Sequence, residues 1–421
     1  MFRWSSLAVG TADFFKKVAK KILTKSNYKK GVYKMKVIFN RSTVMAAVAP
    51  LMYTVSGKFT LSATEGILID ARFPDECILT TYDENKGVRV KIEAKVLEEG
   101  AYIINAQKFN QTLRVMDGDE ITLSVDSKMV ASIVCGKSSH KMSSLPGADF
   151  PTVPELKSDR SFIVGQGTLK KMFNQVSFAM GNNDQRVILN GTYVKIDDES
   201  ITMVACDSFK LAKCKRRTEL VNKNTNGNAH LEYAFIVPAK TVNDLCRLLD
   251  DDEDALTQIF VTRKYIVFNI ADVTFFSRLL DGEYIDYERI IVKNHKITAI
   301  ADKDALYSAL ERAALITEEK IAGSVRAHVK LDIKEDSLRI YAMSVAGSTY
   351  DELSVEHNDD DIIIAFNNRF LIDSVRSCSG KKVRLTLSSP LSSMNIEPAE
   401  DEYAENGIEE LYMLLPVRTK D

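Results

Sequence analysis

One helix-like pattern occurs three times along the chain at nearly constant spacing, and this repeat limits the possible folds more than any composition figure does. The stretches STVMAAVAPLMYTVS, GTLKKMFNQVSFAMG and DKDALYSALERAALIT begin at Ser42, Gly167 and Asp302, at intervals of 125 and 135 residues. Each opens on a capping-type residue and then places apolar side chains at steps of three and four. Each is followed by alternating, strand-like runs, such as GILIDARF, LNGTYVKID and VRAHVKLDI. A second helical family lies half a period further on, starting at Ala106, Pro238 and Asn367, and each member follows an apolar strand: AYIINA, YAFIVP and DIIIAF. Each repeat of about 130 residues therefore holds two strand–helix–strands units, and the chain holds six. The fold class this predicts is α+β: three tandem repeats, with sheets on one face and helices on the other. The expected domains are residues 35–160, 161–291 and 292–421, preceded by a basic extension at 1–34.

Charge is distributed unevenly around this repeat. Residues 1–34 carry nine Lys or Arg and the single acid Asp13, so the body behind them is acidic although the whole chain is at −2. Within the extension, Phe14, Phe15, Val18, Ile22 and Leu23 fall at helical spacing beside lysines, a pattern that suits an anionic surface. The simpler expectation is a disordered segment or a translation start assigned too early, because the periodic pattern begins at Met35. The helical segments are richer in Lys, Arg, Asn and Gln than the strands between them, as at Lys170, Lys171, Asn174, Gln175, Lys240, Asn243, Arg247, Arg369 and Arg376. Two readings follow. These are ordinary solvated faces, or they form one positive lining that meets phosphates without reading bases.

Other classes of function find little support. Six scattered cysteines without a C-x-x-C spacing read as reduced thiols of a cytoplasmic protein. Five dispersed histidines offer no metal-ligand spacing, and no eighteen-residue apolar run suggests a membrane span. Neither a metal nor any other cofactor is expected. A nucleophile at Cys206-Asp207 is the rival, enzymatic reading. It lacks a histidine nearby in sequence, and VACDSFKLA alternates like a strand, which favours Cys206 as a small apolar filler. The chain also ends on an apolar run, Leu411 to Val417, where termini are usually polar and frayed.

Several ordered motifs resemble the bacterial DNA sliding clamps, the beta subunits of replicative DNA polymerase III. They are MKVIFNR at Met35, SSLPGADFP (Ser143–Pro151), RVILNG (Arg186–Gly191), ACDSFKLA (Ala205–Ala212), FSRLLDGEYIDYERII (Phe276–Ile291), ERAALITEEK (Glu311–Lys320) and YMLLPVR (Tyr412–Arg418). The resemblance spans Met35 to the end. It implies a non-catalytic homodimer, closed head to tail into a ring around duplex DNA, with helices inside and sheets outside. The implied partners are DNA of any sequence, the replicative polymerase, the clamp loader and other clamp-motif proteins, and no membrane. A clamp paralogue or DNA-binding scaffold with a different partner set is the alternative.

The resemblance also implies sites. A peptide-binding cleft would comprise Leu189, Cys206, Ser208, Phe209, Lys210, Leu211, Pro238, Val242, Tyr284, Asn367, Phe370, Leu391, Ser393, Met413, Leu414, Leu415, Pro416, Val417 and Arg418, which would explain the apolar terminus. DNA contacts would fall to Lys58, Asn182, Asn183 and Arg186, and the dimer contact to His140 and Met142 against Leu315 and Ile316. Three departures from the family pattern stand out. Ser208-Phe209-Lys210-Leu211 replaces the usual Gly-His-Arg-Leu, and Lys210 lacks the planar fork of arginine. KFTLSAT (Lys58–Thr64) lacks both prolines of the usual Arg-Pro-Thr-Leu-Pro. His140 stands where an aromatic is usual, which would either weaken the ring or make its closure sensitive to pH, since histidine changes charge near neutrality.

Overall fold

The computed structural model describes residues 33–55, 63–154, 156, 158–317, 328–344, 347–357, 359–400 and 402–418. Residues 1–32 of the basic extension and Lys58 lie outside them. The described chain forms two compact units. One holds residues 33–48, 63–79 and 91–150; the other holds 49–55, 80–90 and everything from 151 onward.

Six principal helices appear, at Arg41–Leu51 (α1), Ala106–Val115 (α2), Gln166–Ser177 (α3), Ala239–Leu248 (α4), Lys303–Thr317 (α5) and Asn368–Ser377 (α6). They are the six helical patterns expected from the repeat. Each follows its strand almost without a loop, and in four of the six a side chain at the junction caps the helix. The Asn40, Asn105, Asp302 and Asn367 side-chain oxygens accept from the amides of Ser42, Lys108, Ala305 and Arg369 at 2.8–3.0 Å. A short Asx side chain satisfies a free amide of the first turn at the point where the strand must end.

In the first unit, seven antiparallel strands lie in the order 95–98, 33–40, 120–126, 130–135, 138–146, 100–105 and 66–72. The strand Glu120–Asp126 turns Ile121, Leu123 and Val125 fully into the core, while of the residues on the other face only Ser124 is also buried. The second unit contains a twelve-stranded sheet. Its central-repeat strands, 233–238, 191–196, 200–206 and 210–217, are followed directly by the terminal strand 408–414, then by 394–398, 382–387 and 297–302. The strand Ser200–Cys206 is buried at every position, so it is covered on both faces. A second sheet carries 221–222, 161–165, 256–261, 265–270 and 273–278, and residues 86–90 pair with the last of these. Helices α3 and α4 pack together, as do α5 and α6.

The apolar C terminus has a structural reason. Ile408–Leu414 is an interior strand, pairing with 210–216 on one side and 394–396 on the other. Tyr412 and Leu414 are core residues. Beneath the seam, the Glu410 carboxylate accepts from Gln175 Nε2 at 2.6 Å, from the Ser379 amide and hydroxyl at 2.8 Å each, and from Arg216 at 3.1 Å. A buried charge held by this many donors repays much of its desolvation.

Candidate peptide cleft and nucleic-acid surfaces

Several of the residues expected from the sequence to form a cleft lie at the end of the seam between strands 210–217 and 408–414, divided between the two faces of the sheet. Lys210 pairs with Leu414 and Leu211 with Met413, and successive side chains point to opposite faces. On one face, Cys206, Leu211 and Met413 form a closed apolar cluster with Val204 and Ile291, and Tyr284 packs against it. The Tyr284 ring stacks on Tyr193 at 5.0 Å and 11°. On the other face, the Lys210 ammonium lies 4.4 Å from the centre of the Phe370 ring on α6. Leu189 and Val242, the latter on α4, are fully buried, and Ser393 is nearly so.

The accessible part of the site is smaller than the expected list. Phe209 is 59 % exposed, Leu391 74 %, Leu415 44 % and Val417 37 %. Ser208 and Arg418 are exposed, while Pro238, Asn367, Phe370 and Pro416 are half-buried. The Leu415 amide donates to the Phe209 carbonyl at 2.9 Å, and the Val417 amide donates to the Ala365 carbonyl at 2.7 Å. The last described residues therefore run from the Asp207–Lys210 turn to the strand Ile362–Phe366, and their apolar side chains reach the surface.

Three contributors were not expected in this role from the sequence. Asp207 accepts from the amides of Phe209 and Lys210 at 2.7 and 2.9 Å and also binds the Lys210 ammonium. An Asp two residues before the tip of a turn is the readable signal for this. Asp184 fixes Arg186, which was expected to face DNA, and Arg186 also donates to the Ser208 hydroxyl at 2.8 Å. The guanidinium holds the Asp184 carboxyl below the usual carboxylate range, and Arg186 stands beside the Asp207–Lys210 turn. Ala365 contributes only a backbone carbonyl, which no side-chain pattern reports.

The remaining candidates lie elsewhere. Asn182 and Asn183 are exposed in the turn after α3, and Asn183 takes a positive φ of 56°, which asparagine tolerates. His140 and Met142 lie on the strand Ser138–Pro146, opposite Ile133 and Ala131. In the second unit, Leu315 is exposed on the last turn of α5 and Ile316 beside it is half-buried. Cys206 does not have the environment of a nucleophile. Desolvation, aided by the Asp207 charge, pushes its thiol up to about 11, whereas a reactive cysteine needs its thiol acidified. Among the described residues no group of three or more His, Cys, Asp or Glu is arranged to hold a metal ion.

Comparison with known proteins agrees with the repeat. Models of the N-terminal, central and C-terminal domains of the DNA polymerase III beta subunit match residues 35–154, 163–286 and 288–412. The beta sliding clamp of Escherichia coli K12 is 30% identical over 323 residues, covering 76% of this chain and 82% of that protein. The beta sliding clamp of Proteus mirabilis is 27% identical over 387 residues, covering 91% and 100%. Among solved structures, the DNA polymerase sliding clamp of Bacillus subtilis aligns with a TM-score of 0.83 at 23% identity, over 92% of this chain and 100% of that one. The DNA polymerase III beta subunit of Pseudomonas aeruginosa aligns at 0.81 and 25% identity, over 91% and 100%. With all three domains matched in order and the clamp fold recovered, the chain belongs to the bacterial beta sliding clamp family, the beta subunits of DNA polymerase III.

Proposed function

We infer that this chain is a DNA sliding clamp, a processivity factor built from three domains of the DNA clamp fold. Two copies join head to tail and close a ring around duplex DNA, with the helices α1–α6 toward the duplex. Lys58, Asn182, Asn183 and Arg186 are the proposed DNA contacts, and His140 and Met142 are proposed to meet Leu315 and Ile316 of the second copy. A ring holds DNA by topology, so it needs only weak phosphate attraction, which suits polar helices on an acidic body. The protein performs no chemistry of its own, acts in the cytoplasm, and tethers partners: the replicative polymerase, the clamp loader and other proteins bearing a clamp-binding segment.

The observation that carries this reading is the end of the chain. Its terminal strand is locked into the interior of the sheet, and the residues immediately after it present Leu415 and Val417 at the surface beside Phe209. An exposed apolar strip beside an extended backbone is a surface suited to an extended peptide.

The test is retention on nicked circular DNA after loading by a clamp loader, compared before and after linearising the circle. Loss of retention on cutting is the expected result and reports topological linkage. Retention unchanged by cutting reports direct adhesion and removes the ring mechanism.

A further inference from the structure

We infer that Asn226 is a site of self-modification, the one Asn-Gly pair of three whose side-chain amide the folded protein leaves open to conversion into aspartate and isoaspartate. The pairs are Asn190-Gly191, Asn226-Gly227 and Asn406-Gly407. None of these residues is assigned above to DNA, to the second copy or to the cleft, so the inference does not depend on those roles.

The reaction is an attack of the chain on itself. The backbone nitrogen of the following residue bonds to the asparagine Cγ. Its proton passes through solvent to the side-chain nitrogen, which leaves as ammonia, and a cyclic imide closes. Water then adds to one of the two imide carbonyls. Opening on one side gives aspartate, and opening on the other gives isoaspartate, in which the backbone runs through the side chain. One water is taken up and one ammonia released, with no change of oxidation state. Glycine in the following position has no Cβ to block the approach. The fold sets the remaining conditions: the attacking amide must be uncommitted, Cγ must lie close to it, and the backbone there must be able to turn.

Asn226 meets all three. Residues 225–230 are exposed in the loop between strands 221–222 and 233–238. A Cβ built on Gly227 would meet nothing within 4 Å. Among the described residues, no group accepts from the Gly227 amide. The Asn226 side-chain oxygen accepts from the Asn228 amide at 3.0 Å. A side chain bonded to the amide two residues on is folded forward along the peptide between them, which brings Cγ towards the Gly227 nitrogen. Negative charge develops on that same oxygen during the attack, where the Asn228 N–H already points at it. Asn228 is held in turn, because its side-chain oxygen accepts from the His230 amide at 3.1 Å. The base of the loop is tied by Asn222, which donates to the Ala229 carbonyl at 3.0 Å, and by Asn224, which accepts from the Ser161 amide at 3.0 Å. The loop is thus fixed at its base and free to turn at its tip.

The other two pairs are closed off. The Asn190 side chain is held at both ends, accepting from the Asp184 amide and donating to the Asp184 carbonyl at 2.8 Å each. Gly191 is buried in its strand, where a Cβ would lie 2.4 Å from the Val237 carbonyl oxygen. Asn406 is exposed, but its attacking group is committed: the Gly407 amide donates to the Ala404 carbonyl at 3.0 Å, and the Gly407 carbonyl accepts from Arg217 at 2.9 Å.

The experiment incubates the full chain in mildly alkaline buffer at physiological temperature, folded and, in parallel, unfolded in urea. Both samples are digested with an acid protease, and the three Asn-Gly peptides are followed by mass spectrometry. A converted peptide gains the difference between OH and NH2, and its aspartate and isoaspartate forms separate by chromatography. The expected result is conversion at all three pairs in urea and, in the folded chain, a converted fraction at Asn226 severalfold above that at Asn190 and Asn406. Asn226→Gln is expected to abolish the folded-state product with no change in thermal midpoint. Conversion of Asn190 or Asn406 in the folded chain to the same extent as Asn226, or an Asn226 that converts only in urea, overturns the inference.

Discussion

The floor and the rim of the proposed cleft are neighbours in sequence and opposites in physics. Leu211 and Leu414 are fully buried, whereas Phe209, two residues before Leu211, and Leu415, next to Leu414, are about half exposed. Position explains the switch: Leu211 and Leu414 lie inside paired strands, whereas Phe209 sits in the Asp207–Lys210 turn and Leu415 lies just beyond the end of its strand. The floor is core shared by two domains and the rim is surface. A single family-derived list of cleft residues therefore mixes positions whose substitution removes fold with positions whose substitution removes only binding. Separating stability from affinity, variant by variant, tests that division.

The largest effects belong to the floor. Leu211→Ala and Leu414→Ala each delete a fully buried branched side chain at the seam, and each is expected to cost about 2–5 kcal/mol. Thermal or urea melts of the whole chain read this directly. A melt unchanged by either variant would mean that the seam is not a cohesive part of the core. Glu410→Ala belongs in the same range for an electrostatic reason. It strands Arg216 in a site where the guanidinium is nearly inaccessible, and breaking such a pair from one side costs about 3–5 kcal/mol. Glu410→Gln keeps an acceptor for Gln175 and Ser379 and is expected to cost less than the alanine variant.

At the rim the expectation reverses. Leu415→Ala and Leu391→Ala remove exposed side chains, so stability is expected to stay within about 0.5 kcal/mol while peptide affinity falls. A melt that drops as far as that of Leu211→Ala would erase the distinction between rim and floor.

How much of this could be read from the sequence follows from the range over which each feature is determined. The helices were legible because apolar spacing and capping residues are local: Asn40, Asn105, Asp302 and Asn367 announce a helix start within three residues. The pairing of 408–414 with 210–216 was not legible, because no local pattern names a partner strand some two hundred residues away. The apolar terminus signalled that something covers it, and the register that buries Met413 on one face and Leu414 on the other came only with the pairing. The Gln175–Arg216–Glu410–Ser379 network escaped notice because its four members look like surface residues in their own segments. The split of the chain into two compact units, with 49–55 and 80–90 in the second, was equally hidden. Lys86 there binds the Asp244 carboxylate on α4, a contact between residues that neither segment advertises.

The smallest expected effect lies on the outer side of the floor. Lys213, on the seam strand, binds Glu288 at 2.7 Å, and Lys293 lies 3.3 Å from the same carboxylate. These cations hold the Glu288 carboxyl below its usual value of 4.5. A carboxylate with a depressed folded-state pKa adds stability that is fully present above the unfolded value and is lost as pH falls through the folded one. Glu288 is 44 % exposed at its side chain, so solvent screens the pair and its contribution is about 0–1 kcal/mol. Glu288→Gln is thus expected to change the melting temperature slightly at neutral pH and not at all well below pH 4.5, where the wild-type carboxyl is itself protonated. High salt is expected to shrink the neutral-pH difference. Melts at both pH values check this, and a loss at neutral pH comparable to that of Glu410→Ala would show that the linker carrying Glu288 is held by charge as firmly as the buried seam beneath it.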